Sequence, residues 1–196
     1  DKWVRAFELG PVPSGLLYIG VLVLLKAALS LPFSVYATFV IEERFGFNTT
    51  SPAVWWLDRA KGVVLAMLLG MPLLWLILKL VEWTGSLWWL WAWAAFMGFQ
   101  LLLLFLAPAL ILPLFNKFTP LESGELRQRI EGLLARCGFS SQGIFVMDGS
   151  RRSGHGNAYF TGFGRNKRIV FFDTLVEALE APELEAVLAH ELGHFK

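Results

Sequence analysis

The segment His190-Glu191-Leu192-Gly193-His194 is the part of this 196-residue sequence best suited to chemistry. Residues four apart on an α-helix sit one turn apart, so both imidazoles would leave from one face. Two imidazoles so placed can bind one Zn2+ ion at ~2.0–2.1 Å. Glu191 would lie beside that face, where its carboxylate can take a proton from an attacking water. A metal that polarises a carbonyl, a water of lowered pKa and a carboxylate base together make the chemistry of peptide-bond hydrolysis. The competing reading is a polar helix face with two ordinary histidines. The motif's place on a helix argues against it, as does the fact that His155 is the one other histidine in the chain.

Catalytic zinc takes three protein ligands and one open position. Glu183 and Glu185 lie one to two turns back on the same helix and make poor third ligands. His155 has the right chemistry but sits in the polar turn GSRRSGHG (149–156), where a surface role is the better reading. The third ligand is expected outside this sequence. The chain opens on Asp1 and stops two residues past His194, so it reads as a fragment that alone would not hold catalytic zinc tightly.

Short elements must position the motif. Pro182 opens the last helix, and Asp173 or Thr174 can cap the one before it. Residues 157–163 and 168–172 read as two strands joined by a hairpin loop at 164–167, and Ile144–Met147 reads as a short strand. Thr119-Pro120-Leu121-Glu122 fits a capping box with proline at the first helical position. It predicts an amphipathic helix to about Arg136, stopped by Gly138. Cys137, the single cysteine, excludes an internal disulfide framework and reads as a small core residue.

The first half of the chain is of another kind. Charged residues make up 17% of the sequence, against roughly 25% in an average soluble domain. Residues 1–115 hold 13 of the 33 charges and all nine tryptophans. Runs such as Leu9–Leu25, Gly62–Leu78 and Trp83–Asn116 carry no Asp, Glu, Lys or Arg. A helix needs ~20 apolar residues to cross a bilayer. Three transmembrane helices are therefore predicted, at about 15–40, 61–81 and 86–113. Trp55 and Trp56 are placed just before the second, and Trp83 to Trp93 at the start of the third, as belts at headgroup depth. Lys26 falls inside the first span, where a cavity-facing role and snorkelling to the interface stay open. If the polar half is cytoplasmic, the loop with Arg44, Arg59 and Lys61 is inside and the turn near 82–86, without Lys or Arg, is outside. That agrees with the positive-inside bias, which Lys2 and Arg5 oppose. The net charge of +1 gives no field for nucleic acid.

Several strings carry a family resemblance. NAYFTGFGRNKRIVFFDTL (157–175) followed by AVLAHELGHFK (186–196) resembles the CAAX prenyl protease 1 family and, more distantly, the HtpX-like proteases. Leu31-Pro32-Phe33-Ser34 with Phe39 to Asn48 is similar to that family's first membrane segment and loop. Pro113 to Leu121 is similar to its junction into the protease domain. The resemblance implies an integral-membrane zinc endopeptidase of the gluzincin type, with His190 and His194 as zinc ligands and Glu191 as general base. It also implies that the third ligand, a Glu, and the oxyanion donor lie downstream, with further membrane helices enclosing a chamber. Asn157-Ala158 matches the edge strand that pairs with substrate backbone in such peptidases.

The expected fold is mainly α: a multi-helix transmembrane bundle over 1–115, then the start of an α+β zincin-type metalloprotease domain over 116–196 with a small antiparallel hairpin. The expected function is zinc-dependent hydrolysis of peptide or protein substrates, prenylated or membrane-embedded, either in CAAX processing or in membrane-protein quality control. The alternative is a catalytically incomplete membrane module that binds membrane clients without cleaving them. A transporter or channel with a coincidental motif would not explain the strand pair beside the metal helix. The expected location is multi-pass, in the inner membrane if bacterial or the endoplasmic reticulum membrane if eukaryotic, with the protease part cytoplasmic. The lipid bilayer is a partner and nucleic acid is not.

Overall fold

The computed structural model describes residues 2–162 and 167–193. Contacts divide the chain into two compact units. One is Asp1–Glu42 with Ser51–Leu104, and the other is Glu43–Thr50 with Phe105–Lys196.

The first unit is helical. Helix α1 (Lys2–Arg5) precedes α2 (Pro11–Tyr36), which continues as a π-helical stretch over Ala37–Glu42. Helix α3 covers Pro52–Trp83, and α4 covers Trp88–Leu106 after a 3-10 turn. A second π-helical stretch, Ala107–Ile111, leads into α5 (Leu112–Phe115), and both fall in the second unit. Pro108 lies in that stretch, where a missing N–H and a ring clash forbid ordinary α-helical bonding. Three continuous helical stretches, Pro11–Glu42, Pro52–Trp83 and Gly85–Phe115, are long and apolar enough to cross a membrane. A 32-residue helix is about 48 Å long, more than the ~30 Å hydrocarbon core. Their ends can therefore hold charge at headgroup depth.

That length explains a difference from expectation. Trp55 and Trp56 lie in the opening turns of α3 rather than ahead of it. The Ser51 hydroxyl accepts from the Val54 N–H at 3.3 Å, and Pro52 occupies the first turn, so the helix begins there. Asp58, Arg59 and Lys61 end the apolar run without ending the helix. Arg59 lies 4.7 Å over the Trp55 ring and donates to Ser34 Oγ of α2. Gly15 brings α2 close to α3, since a β-carbon there would sit 3.0 Å from Leu78 Cδ1.

The second unit is a four-stranded mixed sheet with helices. The strands are β1 (Phe118–Pro120), β2 (Ile144–Met147), β3 (Ala158–Thr161) and β4 (Arg168–Phe172), in the order β1-β2-β4-β3. The expected antiparallel hairpin is β3 with β4, with Ala158 opposite Phe171 and Phe160 opposite Ile169. Strand β2 joins β4 in parallel and β1 joins β2 antiparallel. Residues 163–166, on which part of the expected first strand and its loop fall, lie outside the described residues. Central β4 buries Ile169, Val170 and Phe171 in succession, as a strand covered on both faces does.

The expected capping box is a correction. Thr119 and Pro120 pair with Val146 and Phe145 in the sheet, and α6 runs from Glu125 to Cys137 behind Gly124, without a side-chain cap. Pro120 fits an edge strand because its missing N–H is not needed there, and the strand pairing overrides the local cap signal. The C-terminal stop is where expected: Gly138 adopts φ 64° and donates to Ala135 O. Helix α6 lays Ile130, Leu133 and Leu134 into a core shared with Ile144, Ile169, Phe171 and the last helix, and Cys137 packs against its rim.

Candidate active site

Helix α7 (Asp173–Ala178) and helix α8 (Ala181–Gly193) follow β4 directly. Helix α8 buries Leu184, Leu188 and Leu192, spaced one turn apart, against α6 and the sheet. That stripe sets the helix's rotation. His190 falls on its exposed side and Glu191, half-buried, on the flank. His194 lies outside the described residues, and among those residues no group of three His, Cys, Asp or Glu side chains could hold a metal ion.

The nearby carboxylates are committed elsewhere. Glu185 accepts from Arg136 at 2.7 Å and from Arg129 at 3.5 Å, tying α8 to α6. Hydrogen bonding to Glu125, with Glu185 adding to it, raises the Arg129 guanidinium above its ordinary pKa. Glu183 accepts the Glu180 N–H at the start of the helix. The Arg129–Glu185–Arg136 set was not among the sequence candidates, although two arginines seven apart on one helix share a face.

Strand β3 is at one end of the sheet and touches α8. Its outer edge carries no further strand among the described residues. The Asn157 carbonyl accepts from Phe172 N–H at 2.9 Å and so faces β4. Backbone groups alternate sides along an antiparallel strand, which turns those of Ala158 and Phe160 to the open edge. The Asn157 side chain, exposed, accepts the Ala158 N–H at 2.8 Å through Oδ1. Ala158 is buried against the core. Tyr159, on the other face, donates to Met147 Sδ at 3.7 Å, and burial pushes its phenol pKa up. His155 stacks on the Phe47 ring at 4.0 Å, so its imidazole is engaged by an aromatic neighbour.

A helix bearing the first half of a metal motif thus lies against a strand with an open edge. Residues 1–117 match the family described as CAAX prenyl protease N-terminal, five membrane helices, and residues 120–196 match peptidase family M48. The chain belongs to the CAAX prenyl protease family. Of the five membrane helices in that description, the described residues hold three that are long and apolar enough. The chain is 45% identical over 196 residues to CAAX prenyl protease 1 of Saccharomyces cerevisiae, covering 98% of the chain and 43% of that protein. It is 46% identical to the CAAX prenyl protease 1 homolog of Arabidopsis thaliana, covering 85% of the chain and 39% of the relative. The crystal structure of S. mikatae Ste24p matches with a TM-score of 0.89 at 44% identity, over 95% of this chain and 44% of that one. The chain therefore spans less than half the length of these relatives. Membership in this family implies an integral-membrane protein with a metal cofactor.

Proposed function

We propose that the protein carrying this chain is a zinc-dependent metalloendopeptidase of the membrane that processes prenylated CAAX proteins. The observation that carries the reading is the seating of the HExxH helix α8 against the open-edged strand β3, in a chain similar along 98% of its length to CAAX prenyl protease 1 of yeast. We read residues 1–115 as the membrane region and 116–196 as the first part of the peptidase domain. The relatives named above are eukaryotic, which favours the endoplasmic reticulum membrane. Arg44, between the first two spans, and Arg59 and Lys61, in the first turns of α3, favour a cytoplasmic peptidase part.

The donor set suits zinc. Two imidazoles at helical spacing are borderline ligands of the kind zinc takes, and the exposed side of α8 leaves His190 accessible. His190 and His194 would hold the ion, and catalytic zinc takes one further protein donor. When bound, zinc supplies Lewis acidity that polarises the scissile carbonyl and makes water a nucleophile near neutral pH. Glu191 accepts the proton as the water oxygen attacks the carbonyl carbon. It then returns that proton to the departing amide nitrogen as the C–N bond breaks. The outward Ala158 carbonyl and the outward backbone groups of Phe160, with the Asn157 side chain that already holds the Ala158 N–H, present an edge to which an extended substrate adds as a strand. Such main-chain contacts demand little of the substrate's side chains.

The reading is tested on the full-length membrane protein by zinc content and by Asn157→Ala. Zinc at one ion per chain is expected, and Asn157→Ala should raise KM for a prenylated peptide about three- to tenfold. A metal-free protein with wild-type cleavage would overturn it.

A further inference from the structure

Residues 43–50 join the first two membrane spans in sequence, yet by their contacts they belong to the second unit. We propose that this segment is a positioning strap for the substrate edge, with Phe47 and His155 as its principal pair. The proposal rests on the reading of β3 as the substrate-binding strand.

The turn 149–156 runs directly into Asn157 and contains three glycines, Gly149, Gly154 and Gly156. Glycine has the most conformational freedom to lose, so such a turn wanders unless it is tied. Its two ends are tied to α7 and β4. A β-carbon on Gly149 would lie 2.6 Å from Phe172 Cδ2, and one on Gly156 would lie 3.0 Å from Leu175 Cδ1. The Ser150 N–H donates to Asp173 Oδ1 at 2.8 Å, and Thr174 Oγ1 donates to His155 O at 2.9 Å.

The middle of the turn is held by the strap. Gly154 N–H donates to Phe47 O at 2.8 Å, and Thr50 Oγ1 donates to Arg152 O at 2.6 Å. Asn48 forms an isolated antiparallel bridge with Ser153. The Asn48 side chain braces the strap internally, accepting from Thr50 N–H at 2.9 Å and donating to Glu43 at 2.8 Å. Phe47 lies nearly parallel to the His155 imidazole, at 20° between planes and 4.0 Å between centroids. His155 is two residues before Asn157, so the stack fixes the backbone just where the edge begins.

Phe47 is 40% exposed and outside the buried core, as is His155. A role in holding the fold together would need burial. What the pair offers is pre-organisation: a strand already in place costs less ordering when a peptide adds to it. Loss of the strap should therefore appear in KM.

The test is steady-state cleavage of a prenylated peptide by the full-length protein, with zinc content and Tm for every variant and Glu191→Gln as the cleavage blank. Phe47→Ala should raise KM about three- to tenfold, with kcat, zinc content and Tm near the parent values. His155→Phe keeps a stacked ring and should keep KM within about twofold. The Phe47→Ala/His155→Ala double variant should be no worse than the worse single one, because both remove one contact. Should Phe47→Ala not fold, Thr50→Val replaces it, with KM raised about twofold or more. An unchanged KM in Phe47→Ala or its substitute overturns the strap, as does His155→Phe behaving like His155→Ala, or a loss seen equally in kcat or zinc content. Asn157→Ala separates the two readings. If it raises KM and Phe47→Ala does not, only the strap falls. If Asn157→Ala leaves KM unchanged, the substrate edge falls and the strap with it.

Discussion

Tyr159 shows how one side chain's surroundings become a measurable property. Burial pushes its phenol above the ordinary value of about 10, because the phenolate would be poorly solvated there. Below about pH 10 the phenol is neutral in both folded and unfolded chains, so its contribution to stability is fully present. As pH rises through the unfolded-state value toward the folded one, the unfolded chain ionises first and that stability is lost. Thermal unfolding between about pH 9 and 11 should show a Tm falling more steeply in the parent than in Tyr159→Phe. Gly149 makes a steric prediction. A methyl group there meets the Phe172 ring at 2.6 Å, so Gly149→Ala should cost about 1–3 kcal/mol by chemical denaturation. At this scale the sequence was most informative where chemistry depends on local spacing. His190 and Glu191 stand out as candidates because one helical turn relates the two histidines of the motif. Phe47 and His155 do not, because their stack joins segments far apart in the chain and neither residue type alone signals a partner.

The elements divide along the same line. Apolar runs announce the membrane helices, since lipid demands them wherever the helix packs. Their ends were harder to read, because the charges at Asp58, Arg59 and Lys61 interrupt hydropathy while the Ser51 cap and Pro52 start α3 earlier. Thr119-Pro120 misled in the opposite direction. A valid local cap signal lost to pairing with Val146 and Phe145, which only the assembled sheet supplies. Helix α8 makes the clearest prediction here. Leu188 is completely buried and sets the rotation that presents His190. Leu188→Ala should cost about 2–5 kcal/mol and lower zinc content as well, measured by denaturation and by metal analysis on the same preparation. Glu185→Gln breaks partly exposed ion pairs and should cost less than about 1 kcal/mol. A larger loss would mean that the Arg129–Glu185–Arg136 link does more than tie two helix surfaces.

For the whole molecule, the low overall charge is an average over two different parts. A Trp-rich, charge-poor region carries three membrane-length helices, and a unit of ordinary polarity carries the sheet and helix α8. Both parts lie within one stretch that is similar, along 98% of the chain, to CAAX prenyl protease 1 of Saccharomyces cerevisiae, a protein more than twice its length. In the proposed zinc peptidase, His190 and Glu191 act beside the strand β3. The most direct measurement is cleavage of a prenylated CAAX peptide by the full-length protein, with zinc content determined in parallel, for the parent and Glu191→Gln. Equal zinc in both and a fall in kcat of about 100- to 10,000-fold in the variant are expected. Cleavage by Glu191→Gln at the parent rate would contradict the proposal.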